Sequence, residues 1–220
     1  MILAVTGGKG GVGKSTVSLN LGAELGGVVV DADLAMADLP TCHGPDLHDV
    51  LAGRAEPLEA VSTVGGVSML PCGRTLAGAR ACDVTGVVGA VEQVADEYDH
   101  VIIDCPAGMS ADAGLPLVAA DSCVLVTVPR RFALADAVRT KVLARELGAG
   151  LCGVVLNRVR DDPPTEIVER TLGAPVTTLP ESSVIADAQR HGRPVATAAP
   201  ESDTRERFAE LGRAIYSRRS

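Results

Sequence analysis

Gly8-Lys9-Gly10-Gly11-Val12-Gly13-Lys14-Ser15-Thr16 is the stretch on which the fold turns. It follows an apolar run, Met1 to Thr6, that reads as a buried strand, and it opens into Val17–Leu25, whose apolar residues recur at helical spacing. Strand, glycine-rich turn, Gly-Lys-Ser and helix form the context a phosphate-binding loop requires. Glycines let the backbone curl closely around phosphate oxygens with its N–H groups turned inward. The helix that follows adds unpaired donors and the positive end of its dipole. In this pattern Gly8, Gly10, Gly11, Val12, Gly13 and Thr16 supply backbone, Lys14 reaches the β- and γ-phosphates, and the Ser15 hydroxyl is the Mg²⁺ ligand. The spacing Gly8-x-Gly10-x-x-Gly13 also fits a dinucleotide fingerprint, with Asp31 about the right distance on to take a ribose hydroxyl. That fingerprint does not ask for Lys-Ser after its last glycine, and the phosphate-loop reading does.

Three further strand ends carry polar residues. Val28-Val29-Val30-Asp31 reads as the second strand and runs into Asp31-Ala32-Asp33. His100 to Asp104 is an apolar strand that ends in an acid, followed by Cys105-Pro106-Ala107-Gly108. Leu151 to Arg158 is a strand ending in Asn157-Arg158. Carboxylates and amides at strand C-termini lie on the edge where open α/β sheets bind ligands. The alternative for Asp31 and Asp33 is turn and cap chemistry, and for Asn157 a turn residue.

Composition fits a sheet buried on both faces. The 220 residues are 46% hydrophobic but only 2% aromatic, with no Trp, so the core is built from Val, Leu, Ile and Ala. One α/β domain over residues 1–220 is expected. The formal net charge of −8 argues against a large nucleic-acid surface. The six cysteines contain no Cys-x-x-Cys pair, and free thiols in a reducing cytosol are expected. No apolar run approaches the ~18 residues of a membrane span, and the N-terminal strand lacks the length and charge of a signal peptide.

Other expected elements follow the same logic. Leu47-His48-Asp49-Val50-Leu51-Ala52-Gly53 reads as a short helix stopped by glycine. Val67 to Pro71 reads as a strand, Cys72 to Cys82 as a surface loop with a helical turn, and Val84 to Tyr98 as a helix. Ser122 to Pro129 is a core strand before a helix of about fifteen residues. Glu166–Leu172 is a short helix and Pro175–Glu181 the last strand with its exit. Residues 203–219 fit a closing helix with Phe208, Leu211 and Ile215 on one face. His43 and His48 are assigned no chemistry.

Lys9 sharpens the reading. An ordinary phosphate loop needs no lysine just after its first glycine. The chain has three lysines (Lys9, Lys14, Lys141) among 20 basic residues, and two sit in this loop. Lys9 to Thr16 resembles the deviant Walker A motif of the MinD/ParA ATPases, most like archaeal MinD-like chains. The likeness continues in order through Asp31-x-Asp33 (switch I), Leu47 to Gly53, Asp104-x-Pro-Ala-Gly108 (switch II), Asn157-Arg158, and Pro180-Glu181 with the later Gly192-x-Pro-Val segment.

The resemblance implies a doubly wound, mostly parallel sheet flanked by helices, and a slow Mg²⁺-dependent ATPase stimulated by an activating protein. It implies that two copies close over ATP, with Lys9 crossing to the partner's phosphates. It implies that Asp33 orients the attacking water, that Ser15, Asp31, Asp33 and Asp104 surround Mg²⁺, and that Gly108 senses the γ-phosphate. Asn157 would read adenine, Arg158 would lie against the base, and Pro180-Glu181 would run along it. Cys105 departs from the expected Ser or Thr; a small buried residue is the favoured reading over a redox handle. The tail lacks the Lys/Phe/Leu density of a membrane-targeting helix, so a cytoplasmic protein is expected, with peripheral contact at the inner face of the membrane left open. Two alternatives remain: an iron–sulfur cluster carrier ATPase, and a phosphate-loop ligase of the cobyrinate or dethiobiotin type. No specific nucleic-acid partner is expected.

Overall fold

The computed structural model describes residues 1–34, 39–40, 43–108, 111–160 and 162–217. In chain order the elements are β1 (Ile2–Thr6), α1 (Lys14–Leu25), β2 (Val28–Asp31), α2 (Leu47–Leu51), β3 (Ser62–Val64), β4 (Val67–Leu70) and α3 (Leu76–Ala81). Then come α4 (Val87–Glu97), preceded by a single 3₁₀ turn, β5 (Val101–Asp104), α5 (Ala111–Ala119), β6 (Ser122–Thr127), α6 (Arg131–Glu146) and β7 (Gly150–Val159). The chain closes with α7 (Thr165–Leu172), β8 (Val176–Pro180), α8 (Ser183–Arg190), α9 (Val195–Ala198) and α10 (Asp203–Tyr216).

The strands form one eight-stranded sheet in the order β3-β4-β2-β5-β1-β6-β7-β8. Every pairing is parallel except β3 with β4. Helical crossovers between parallel strands cover both faces, which is why the central strands read as unbroken Val/Ile runs. Strand periodicity divides the core between the two faces. Leu3 and Val5 join Val29, Ile102 and Val124 under α1 and α10. Ala4, Val28, Val30 and Ile103 join Val87, Val91 and Val94 of α4 and Leu117 of α5 on the other face. A third cluster sets Leu125, Val154 and Leu156 against α6 and α7.

α10 packs on α1 and buries Phe208, Leu211 and Ile215. These three residues therefore belong to the core, while Tyr216 at the helix end is exposed. Ser202 caps it by accepting from the Arg205 N–H. Among the described residues no helix is long and apolar enough to cross a membrane. Residues 35–38 of the loop after β2, Cys42, and the end of the expected 203–219 helix lie outside the described residues.

Four elements, β3, α5, α8 and α9, add to the expected set. β3 precedes β4 through Gly65-Gly66 and pairs antiparallel with it, Val64 opposite Val67. α5 carries Pro116 within it, a residue that ordinarily ends helices. Cys72 to Cys82 resolves into an extended stretch and α3, capped by the Thr75 side chain on the Gly78 N–H.

Candidate functional site

β1 delivers the chain to the C-terminal edge of the sheet between β5 and β6, and the loop turns there into α1. Gly11 and Gly13 have φ of 77° and 103°, backbone that L-residues with a side chain rarely adopt. At Gly13 there is also no room: a Cβ would lie 2.2 Å from Asn157 Nδ2. Lys14 opens the helix and is 7% exposed, whereas Lys9 and Gly10 lie on the exposed rim. A Cβ at Gly10, Gly11 or Gly108 would meet nothing within 4 Å, so the space over the loop is open.

Strand register assembles the acids. Asp31 of β2 is the direct partner of Asp104 of β5, and each is 1% exposed. The Ser18 hydroxyl lies 2.9 Å from Asp104 Oδ1, and the Ser15 side chain hydrogen-bonds the same carboxylate. Burial pushes the Asp104 carboxyl up to about 6, against the pull of the two serines and the Lys14 ammonium. Asp33 faces the same place closely enough to add to that rise, and its N–H donates to Asp31 Oδ1 at 3.2 Å. The donor set is all oxygen: one hydroxyl and carboxylates, beside a phosphate loop. That suits a hard cation such as Mg²⁺, which keeps several waters and takes few protein ligands. Among the described residues no group of three or more His, Cys, Asp or Glu side chains forms a metal cage.

The third wall comes from β7 and β8. Asn157, 5% exposed, donates from Nδ2 to the Val12 carbonyl at 2.8 Å and accepts the Arg158 N–H on Oδ1 at 2.9 Å. One N–H and one lone pair remain to it. Arg158 has φ 56°, and it is the one non-glycine residue with positive φ among those described. The Glu181 N–H donates to Val159 O at 2.9 Å, tying the loop after Pro180 to β7. Arg160 forms an ion pair with Glu181 and holds that carboxyl below its usual range. A cleft of about 620 Å³ opens between Lys9–Val12, Arg158 and Glu181. A smaller one of about 240 Å³ lies on the far side of the loop, between Ser15, Thr16 and α8.

The structure thus brings Lys14, Ser15, Asp31, Asp33, Asp104 and Asn157 around one loop. Gly108, φ 98°, ends the described part of the loop after β5. Cys105 is 1% exposed with its thiol pushed well above the usual range by burial, which makes it a packing residue and a poor nucleophile. Ser18 is a residue the sequence reading passed over. Its place one turn beyond Lys14 and Ser15 on α1 is a signal that points it at the same carboxylate.

A profile of the ParA family, described as "NUBPL iron-transfer P-loop NTPase", matches residues 1–164. An uncharacterised ATP-binding protein of Methanocaldococcus jannaschii is 40% identical over 173 residues, spanning 74% of this chain and 66% of that protein. Among solved structures, the cell division ATPase MinD of Pyrococcus furiosus superposes with a TM-score of 0.92 at 31% identity, covering 98% of each chain. MinD of Pyrococcus horikoshii, solved with Mg-ADP, gives 0.90 at 29% identity, covering 97% of this chain and 94% of that one.

Proposed function

This chain belongs to the ParA family of P-loop NTPases, and we propose that it is an ATP-hydrolysing switch whose two copies close over the nucleotide. The observation that carries the proposal is the facing pair Asp31–Asp104 at neighbouring strand ends, beside Ser15 and Lys14. A related MinD solved with Mg-ADP and a relative described as ATP-binding support the choice of nucleotide.

In this reading the N–H groups from Gly10 to Thr16 and the Lys14 ammonium cradle the β- and γ-phosphates. Ser15 and Asp104, with Asp31 and Asp33 close by, would hold Mg²⁺, which neutralises phosphate charge and fixes the triphosphate. Asp33 accepts a hydrogen bond from the attacking water and sets it in line with the γ-phosphorus. The Gly108 N–H contacts the γ-phosphate, so its loop differs between ATP and ADP states. Asn157 turns its remaining N–H and lone pair to adenine, with Arg158, Pro180 and Glu181 along the base. Lys9, exposed on the rim, crosses to the partner's phosphates. Hydrolysis removes that attraction and the dimer parts. A slow rate that an activating protein raises suits such a timer, which would control where the protein sits or what it binds, at the inner membrane face included.

The test is phosphate release from ATP, with and without Mg²⁺. Wild type releases phosphate only with Mg²⁺, and Lys14→Ala abolishes release. Turnover that demands a small carboxylate acceptor would instead favour the ligase.

The description of the family profile supports a second reading, an iron–sulfur carrier. The cysteines weigh against it. Among the described residues Cys72, Cys105 and Cys123 are buried. An iron–sulfur absorption band after anaerobic reconstitution would reinstate it.

A further inference from the structure

His48 sits on α2, outside the nucleotide machinery, and is 2% exposed. Its Nε2 lies 3.2 Å from the Leu34 carbonyl oxygen. A carbonyl only accepts, so in the bond to Leu34 it is Nε2 that donates. Among the described residues Nδ1 is buried with no hydrogen-bond partner. The fold therefore gives up one ring nitrogen and keeps the bond made by the other.

The ring is closely held. A Cβ at Gly73 would lie 2.2 Å from Nδ1, and one at Gly78 would lie 2.8 Å from it. Glycine at both positions is what leaves room for an imidazole. The Cys72 sulfur lies 3.4 Å from Nε2. The helix under the ring is fixed in turn. The Leu47 N–H donates to Pro71 O, just past β4, at 2.9 Å. Asp46 and Asp49 close a capping box over the first turn of α2.

Leu34 directly follows Asp33. On the sheet side this segment is tied by three bonds: Ala32 N–H to Asp104 O at 3.0 Å, Asp33 N–H to Asp31 Oδ1 at 3.2 Å, and Leu34 N–H to Ala32 O at 3.0 Å. His48 holds its other end through the Leu34 carbonyl. A loop tied at both ends keeps one direction for the side chain between.

We propose that His48 is a positioning residue: its Nε2–H bond to the Leu34 carbonyl clasps the loop that carries Asp33 and so aims the Asp33 carboxylate at the attacking water. The proposal rests on the hydrolytic role given to Asp33 above. Partners that orient a functional side chain from one step back, as around metal ligands, typically are worth about 10- to 100-fold in metal affinity or activity. His48 touches none of the phosphate-loop residues in the bonds described, so ATP affinity is not at stake.

Glutamine and asparagine separate the two ring nitrogens, because the Gln amide N–H reaches the place of Nε2 and the Asn amide only that of Nδ1. The experiment compares His48→Gln, His48→Asn and His48→Leu in ATP affinity, single-turnover hydrolysis, thermal unfolding, and hydrogen exchange of the Asp33 and Leu34 amides. The expected result is wild-type ATP affinity in all three. Turnover falls by about 10- to 100-fold in Asn and Leu and is restored in Gln. The Asp33 and Leu34 amides exchange faster in Asn and Leu alone. Wild-type turnover in Asn, or Gln as impaired as Leu, overturns the proposal, as does parallel loss of ATP affinity and stability in Asn. If Leu does not fold, the Gln–Asn pair decides. If wild type hydrolyses no ATP, the switch reading has failed, and amide exchange alone decides whether the clasp exists.

Discussion

Replacing Asp104 with Asn stabilises the metal-free protein at neutral pH and removes its response to Mg²⁺. Burial raises the Asp104 carboxyl from 3.8 to about 6. A rise of about two pH units corresponds to roughly 3 kcal/mol, at about 1.36 kcal/mol per unit. The folded state binds this proton more tightly than the unfolded chain does. Stability from this group is therefore full below about pH 4, falls as pH rises towards about 6, and is lost above it. Asn carries no charge and keeps an oxygen for the Ser18 hydroxyl, but its NH₂ needs an acceptor, which offsets part of the gain. The net expectation in EDTA is about 1–3 kcal/mol more stability than wild type near pH 7.5, and none near pH 4. Urea unfolding at both pH values reads this directly. Mg²⁺ added to the ATP-bound protein then raises the Tm of wild type further and leaves that of the variant nearly unmoved, because a ligand stabilises only the state that binds it. A variant less stable than wild type near pH 7.5 in EDTA, or one with the wild-type pH slope, would refute the reasoning.

Three other perturbations bear on different parts of the account. Phe208→Ala empties a 1% exposed site under α10 and costs about 3–5 kcal/mol by denaturant unfolding; a loss below about 1 kcal/mol would remove α10 from the core. Asn157→Ala breaks the 2.8 Å bond to the Val12 carbonyl, a loss of about 1–3 kcal/mol. ADP affinity, titrated with a fluorescent analogue, should weaken by about 5- to 150-fold, and an unchanged affinity would separate Asn157 from the loop. Cys105, and Cys123 with its thiol raised to about 12, should resist a thiol reagent until the chain unfolds, so that among the described cysteines half-buried Cys82 and Cys152 react first. Rapid labelling of Cys105 in the folded protein would contradict its burial.

Most of the sheet was legible because its strands are written in β-branched residues and its turns in glycine. The phosphate loop was the clearest part, since each requirement on its backbone is met by residues next to one another. β3 was missed because Ser62-Thr63-Val64 is too short for alternation to show, and only pairing with β4 makes it a strand. α5 was missed because Pro116 reads as a break, and tertiary packing of Leu117 and its neighbours overrides that local signal. The acids Asp31 and Asp104 were visible as strand-terminal residues, but their facing register depends on β2 lying beside β5. The bond from Asn157 to Val12 spans 145 positions, and no local pattern carries it. His48 was read as unremarkable for the same reason: its partners, Leu34, Cys72 and Gly73, converge from separate parts of the chain.

The most direct test of the central claim is the oligomeric mass of the protein in ADP and in ATP, with Asp33→Ala used to block turnover. The account predicts a monomer with ADP, a dimer with ATP, and a monomer with ATP once Lys9→Ala is added. A monomer with ATP bound, or a dimer indifferent to nucleotide or to Lys9, would contradict it.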